Sequence, residues 1–391
     1  MFAKHAKCSS CDSLQPLQDA PLTCAKCHHV LDIEYDLGKV ETSLSKGQLP
    51  NRVHSLWRYR DLLPVEGREP IVTLGEGMTP LKKVSRYADA MGLGNLTVKL
   101  DYLNPTGSFK DRGATVMITK LKESRITSVI DDSSGNAGAS VAAYCASAGI
   151  DCTIFVPATA PKEKLVQTRM YGAKVQKVEG TRADVETATL EQRKSSGRYY
   201  ASHNLSPFFL EGLKTVAYEI AEVSNWQLPD SMIFPVGTGG LLLGVWKGLK
   251  ELLQLGWVKA IPRIHCVQSE ACQPIVNAFQ TGNQKIQPVG ERETVAGGIR
   301  ISKPARGEQV LQAIKETHGA AISVSDQLIL KHQRLIAETE GIFVEPTSCA
   351  ALAGLEKLCD IGLIASSEAV VIPLTGFGLK DTRSVPAGVN R

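Results

Sequence analysis

No uncharged stretch of the 391-residue chain is both long and apolar enough to cross a bilayer as a helix. The best candidate, residues 133–150, is mostly Ser, Gly and Ala and lacks the density of Leu, Ile and Val that a span requires. Nor is one sign of charge in excess: 44 basic against 40 acidic residues leave +4, spread without a basic block. That argues against a protein held to nucleic acid mainly through phosphates, and against a polybasic membrane anchor. Low net charge with 43% hydrophobic residues excludes intrinsic disorder. No tandem repeat and no low-complexity tract is present, which removes solenoids and arrays. Met1 to Lys7 lack the apolar core of a secretion signal and run straight into Cys8. Six cysteines (Cys145, Cys152, Cys266, Cys272, Cys349 and Cys359) are scattered singly, as small core residues in a reducing compartment are. The expectation is a soluble cytoplasmic protein that folds without disulfides.

What is present begins with the other four cysteines. Cys8-x-x-Cys11 and Cys24-x-x-Cys27 are twelve residues apart in a leader, residues 1–37, too short to build a core of its own. Two such knuckles have the spacing of a four-cysteine zinc ribbon, each offering two thiolates to one tetrahedral ion; a pair of redox dithiols is the alternative. His28 and His29 follow the second knuckle and are alternative ligands. A closed four-ligand site leaves no open position, so the expected role of the metal is structural. Residues 38–70 read as a linker wrapping onto the body, with Trp57 and Tyr59 as anchors, and residues 71–391 as the main region.

From about residue 95, short β-branched runs (97–100, 128–131, 152–156, 232–236, 263–267, 369–374) alternate with helical patterns at 110–124, 136–149, 161–172, 182–196, 208–224, 239–254 and 326–340. Near-continuously apolar strands separated by helices predict an α/β fold with parallel sheets covered on both faces. Ligands in such folds bind at the carboxyl ends of strands, where the informative residues should sit.

Four loops meet that expectation. Asn104-Pro-Thr-Gly-Ser-Phe-Lys110-Asp-Arg-Gly113 follows a strand and puts Lys110 in the first turn of a helix. There the helix dipole and partial burial both favour the free amine that Schiff-base chemistry needs. The bland alternative is a surface lysine with Asp111 and Arg112 as solvated charges. Ser133-Ser134-Gly135-Asn136-Ala137-Gly138 offers small residues and helix-opening N–H groups suited to a carboxylate, against simple capping by Ser134 or Asn136. Gly237-Thr238-Gly239-Gly240-Leu241 is a glycine turn of the phosphate-cradling kind. It is neither a Walker loop nor a dinucleotide fingerprint, whose sixth position is occupied here by Leu242. Leu374-Thr375-Gly376-Phe377-Gly378 places Thr375 at the end of the last apolar strand. Leu74–Pro80 and Gly341–Ser348 are lesser pieces; Pro346 in the second fits the first position of a helix.

Together these segments resemble the pyridoxal-phosphate enzymes of fold type II (tryptophan synthase β-like) and, within them, the threonine synthase branch. The resemblance spans residues 71–391, and the leader ending Leu31-Asp-Ile-Glu-Tyr-Asp36 is similar to that of archaeal-type members. It implies two parallel-sheet domains, the smaller roughly 107–208, the larger the remainder, plus the zinc ribbon, and a homodimer. It implies a lyase converting O-phosphohomoserine and water to L-threonine and phosphate. Lys110 would hold pyridoxal 5′-phosphate as a Schiff base and then shuttle the Cα proton. Asn136 would bond the ring hydroxyl oxygen, Gly237, Thr238, Gly239, Gly240 and Leu241 the cofactor phosphate, and Thr375 the ring nitrogen. Ser133, Ser134 and Ala137 would receive the substrate carboxylate, and Cys8, Cys11, Cys24 and Cys27 the metal. Two residues depart from the branch: Phe209 stands where an arginine usually binds the substrate phosphate, and Phe377 where histidine is common. His203, Asn204, Lys99, Lys162 and Lys164 are the substitute donors in view. Reaction at Cβ of serine, threonine or O-phosphoserine, as in a dehydratase or a cysteate-synthase-like enzyme, is the alternative.

Overall fold

A computed structural model describes residues 2–67, 69–290 and 292–382; Met1 and positions 383–391 of the main region lie outside the described residues. The strands are β1 (Ala3–Cys8), β2 (Leu14–Gln15), β3 (Leu31–Tyr35), β4 (Leu81–Lys83), β5 (Asn95–Lys99), β6 (Ser128–Asp131) and β7 (Asp151–Pro157). They continue with β8 (Lys174–Val178), β9 (Tyr199–Tyr200), β10 (Ser231–Pro235), β11 (Arg263–Ser269), β12 (Ala321–Val324) and β13 (Ala369–Pro373). The chain forms two compact units. One holds the residues up to Met78 together with Asn104–Thr215; the other holds Thr79–Leu103 and the described residues from Val216 onward.

The first unit carries two sheets. In the leader, β1 pairs antiparallel with both β2 and β3. Further on, β8, β7, β6 and β9 form an all-parallel sheet in that order. Its inner strands β6 and β7 are almost wholly buried, the continuous apolar kind that a doubly covered parallel sheet requires. The segment 38–70 is structured as a short helix, Leu37–Ser43, and two 3₁₀ turns. Trp57 and Tyr59 within it are buried. The indole Nε1 of Trp57 donates to Glu76 Oε1 at 2.9 Å and to Thr115 Oγ1 at 3.1 Å.

The second unit is built on a six-stranded sheet of order β12-β11-β10-β13-β5-β4, parallel throughout except for β4 against β5. Helices Gly240–Gln254, Asp326–Glu340 and Pro346–Asp360 supply its cover, and a core of Val, Ile, Leu and Ala fills the space between.

Several elements depart from the sequence pattern: helices Pro274–Gln280, Gly307–Glu316 and Pro346–Asp360 and strand β12 are not marked by it, and two further segments differ in form. The helix expected over 208–224 is two helices, Pro207–Leu213 and Thr215–Val223. At the break the Thr215 hydroxyl bonds the carbonyl of Gly212 at 2.7 Å, the back-bonding by which threonine interrupts a helical ladder. The edge strand β8 leaves no mark in the sequence pattern because Lys174-Val-Gln-Lys-Val178 lies largely exposed and has none of the apolar continuity of β6 and β7.

Candidate active site

In the first unit, Lys110 opens helix Lys110–Glu123, as the sequence predicts, and no side chain caps that helix. The charges that follow are not solvated: Asp111 and Arg112 are fully buried. Asp111 accepts from Thr106 N at 2.7 Å, Thr106 Oγ1 at 2.6 Å and Ser140 Oγ at 2.6 Å. Its carboxylate therefore ties the turn before Lys110 to the neighbouring helix Asn136–Ala148. Gly107, at φ +83°, adopts the left-handed backbone this turn needs. Arg112 donates to Thr215 Oγ1 at 3.0 Å. The Lys110 amine lies 4.5 Å from the ring centre of Phe109 and 6.0 Å from that of Phe209. Phe209 is buried against Gly113, where a Cβ would come within 2.3 Å of its ring. The His203 ring meets it edge-on at 5.9 Å. Ser108 Oγ, Ser202 Oγ, His203 Nδ1 and Asn204 Oδ1 are buried without a hydrogen-bond partner among the described residues.

The Leu74–Pro80 string reaches this loop from below. Asn104 Oδ1 accepts from Gly77 N at 2.9 Å. The buried Glu76 accepts from Thr73 Oγ1, Leu74 N, Trp57 Nε1 and the Tyr144 hydroxyl, at 2.7–2.9 Å.

The Ser133–Gly138 loop leaves β6 directly. Gly135 occupies the N-cap position and no side chain caps the helix, so neither Ser134 nor Asn136 serves as the cap. A Cβ on Gly138 would fall 1.9 Å from the Ser133 carbonyl oxygen, which explains a glycine at that place. Just before the loop, burial and the neighbouring Asp132 push the Asp131 carboxyl up to about 8.

The second unit carries the glycine loop and Thr375. Gly239 has φ +89°, and a Cβ there would lie 2.3 Å from Val310 Cγ2. A Cβ on Gly237 would lie 3.0 Å from the Gly298 carbonyl oxygen, a milder but still tight approach. Helix Gly240–Gln254 has no side-chain cap, so its first-turn N–H groups remain for a ligand. Thr375 Oγ1 lies 2.9 Å from Ser348 Oγ, which also accepts from Thr375 N at 2.9 Å and Gly376 N at 3.1 Å. Ser348 has no functional signal in the sequence beyond its place after Pro346 at a helix start. Phe377 stacks on Tyr102 at 5.6 Å and 20°.

Lys99 is not a substrate donor. It is fully buried, 2.7 Å from the equally buried Glu219, and bonds the Thr79 carbonyl. Lys99→Met, which removes the buried partner of Glu219, is expected to destabilise the chain by about 3–5 kcal/mol in a denaturant titration.

In the leader, the Sγ atoms of Cys8, Cys11, Cys24 and Cys27 all lie within 4.8 Å of one another, with pairs at 3.4 and 3.7 Å. Four thiolates around one zinc at about 2.3 Å stand about 3.8 Å apart, so the set fits a tetrahedral ion. Ser10 N, Cys11 N and Lys26 N point at Cys8 or Cys24 sulfur at 3.4–3.5 Å, the backbone support expected of knuckles. His28 and His29 are exposed and outside the group. The leader meets the rest of its unit at Tyr35, whose hydroxyl donates to Glu211 Oε2 at 2.6 Å. The buried Lys214 amine lies 2.6 Å from the same oxygen and 3.9 Å over the Tyr35 ring. No helix among the described residues is long and apolar enough to cross a membrane.

The family described as pyridoxal-phosphate dependent enzyme matches residues 72–376. A threonine synthase of Methanosarcina acetivorans is 41% identical over 382 residues, 97% of this chain and 93% of that one. A threonine synthase of Methanocaldococcus jannaschii is 39% identical over 376 residues, 96% and 92% of the two chains. Among solved structures, threonine deaminase isoform 2 of Solanum lycopersicum superposes with a TM-score of 0.68 at 22% identity, covering 80% of this chain and 84% of that one. That likeness is one of fold alone.

Proposed function

This chain belongs to the threonine synthase family of pyridoxal-phosphate-dependent enzymes, and from that membership we propose that it converts O-phosphohomoserine and water to L-threonine and phosphate. The observation that carries the reading is the 41% identity along 97% of the chain. The loops that would hold the cofactor fit it: an amine at an uncapped helix start, a glycine turn that admits no Cβ, and a hydroxyl pair at a strand end.

Pyridoxal phosphate, when bound, supplies an electron sink for charge developing on the substrate carbon chain. The protein's part is attachment, orientation and proton movement. Lys110 would hold the cofactor through Nζ, and its amine, once free, would take the proton from Cα and help to move a second proton from Cβ. Phosphate would leave from Cγ, which takes up a proton to become the methyl group, water would add its oxygen at Cβ, and Cα would regain its proton. Asn136 orients the ring through its hydroxyl oxygen. The N–H groups of Gly237 to Leu241 bind the cofactor phosphate, and Ser133, Ser134 and Ala137 bind the substrate carboxylate. Thr375, steadied by Ser348, faces the ring nitrogen with a hydroxyl, which does not hold a proton on the ring as a carboxylate would. The cysteine cluster holds a structural zinc ion, and the working form is a cytoplasmic homodimer.

Incubating the protein and cofactor with O-phosphohomoserine is expected to release phosphate and threonine in equal amounts. The apolar Phe209 favours a second reading, elimination or replacement at Cβ of serine, threonine or O-phosphoserine. A 2-oxoacid formed from those amino acids, with no threonine from O-phosphohomoserine, would replace the first reading by the second.

A further inference from the structure

Phe209 cannot bind a phosphate, and Lys99 is committed to Glu219, so the substrate's dianion needs a cation from another element. Resting on the function proposed above, we propose that Arg182 is that cation, a specificity-determining residue that binds the substrate phosphate together with the uncharged polar groups of His203 and Asn204.

The placement follows from the sheet. The strand β8 passes through Glu179-Gly180-Thr181 into helix Arg182–Ser196. Thr181 and Asp184 form a capping box that fixes this entry, with Asp184 Oδ2 2.6 Å from Thr181 N. Gly180, at φ +106°, is required because a Cβ would fall 2.4 Å from the same oxygen. One turn into the helix, Val185 is buried with Ile130 of β6, Phe155 of β7 and Tyr200 of β9, and Leu205 packs against them. Residues 182, 185 and 189 share one helical face, and Val185 and Thr189 on it are buried. Arg182, a turn earlier on that face, therefore stands over the carboxyl ends of β6 and β9. Those ends lead into Ser133–Ala137 on one side and Ser202-His203-Asn204 on the other.

The electrostatics agree with the placement. Arg182 is exposed and hydrogen-bonds no described residue. Its charge is felt at both Asp131 and His203. Burial, then Lys110 and Arg182, hold His203 well below the usual imidazole range, so it is a neutral ring able to donate one N–H. Burial and the neighbouring Asp132 push the Asp131 carboxyl upward. The side chains of Ser202, His203 and Asn204 each present a buried polar atom with no partner among the described residues. The Asn204 amide offers Nδ2 as a donor once turned over. A guanidinium with two or three neutral donors is a set that phosphate accepts well.

The test uses the holoenzyme, comparing Arg182→Gln and Arg182→Lys with wild type and with Lys194→Gln, which removes a charge from the far end of the same helix. In Arg182→Gln, the KM for O-phosphohomoserine and the inhibition constant for inorganic phosphate are expected to rise about 10- to 100-fold. Turnover at saturation should change far less, with the visible spectrum and melting temperature unmoved. Arg182→Lys should recover part of the loss, and Lys194→Gln should behave as wild type. An Arg182→Gln enzyme whose phosphate inhibition and KM stay within about twofold of wild type overturns the proposal, as does one altered only in the pH dependence of its stability through Asp131. If wild type fails to turn over O-phosphohomoserine, the functional reading falls by itself. Calorimetric titration of inorganic phosphate into the holoenzymes then decides Arg182: binding weakened in the variant supports it, and equal binding refutes it.

Discussion

Lys110→Ala is expected to lower turnover by about 10³-fold or more and to leave no cofactor covalently held. In the function proposed above the residue has two tasks, attachment and proton transfer, and neither neighbouring ring offers an amine for them. Its amine is flanked by the rings of Phe109 and Phe209. The turn before it is held by two hydrogen bonds from Thr106 to Asp111, and a third from Ser140 ties Asp111 to the neighbouring helix. Borohydride reduction of the holoprotein followed by peptide mapping checks this directly. The label should sit on the peptide containing Lys110 and be missing from the variant. Label on a different lysine, or a Lys110→Ala protein that retains it, would remove Lys110 from its assigned role.

The second large effect belongs to the leader. Structural zinc in small modules contributes on the order of 10 kcal/mol to their folding, because the ligand set does not exist in the unfolded chain. Residues 2–36 have three short strands, and Leu17, Leu31 and Ile33 are buried there beside Cys8 and Cys24. Cys24→Ser is therefore expected to reduce bound zinc from one ion per chain to none and to open the leader to protease. The loss should reach further than the leader, since Tyr35 covers the buried Glu211–Lys214 pair. A lower melting temperature of the whole unit should accompany metal loss. Elemental analysis, limited proteolysis and a melting curve measure the three effects. A purified wild-type chain with no metal and its four thiols oxidised in two pairs would count against the site.

What the sequence made legible was local. The helices beginning at Lys110, Asn136 and Arg182 start where capping, glycine and periodicity place them, and the apolar runs of β6, β7, β10 and β13 are unmistakable because both their faces are covered. What it hid depended on partners distant along the chain. Asp111 and Arg112 read as ordinary charges; beside the local Thr106, their burial involves Ser140, 29 residues on, and Thr215, 103 residues on. Lys99 looks available as a donor, yet its partner Glu219 is 120 residues away. Ser348 gains its place beside Thr375 through the register of a helix against β13 that no local pattern encodes. The four clustered cysteines are the opposite case, since all lie within twenty residues and their spacing brings them together.

The interleaving of the two units has a consequence for the birth of the chain. The unit that contains Lys110 is complete once Thr215 has emerged from the ribosome. The other unit begins earlier, with β4 and β5, and cannot finish until β13 arrives to pair Ala369–Pro373 with Asn95–Lys99. From residue 99 to residue 369 is about 270 residues, which at about 5–20 residues per second takes about 15–55 seconds. Throughout that interval β5 is paired on its β4 side alone, and the row of amides and carbonyls facing the missing strand is open to any neighbouring polysome product. Yield in a cell is therefore expected to depend on protection of that waiting edge as well as on the stability of the finished fold.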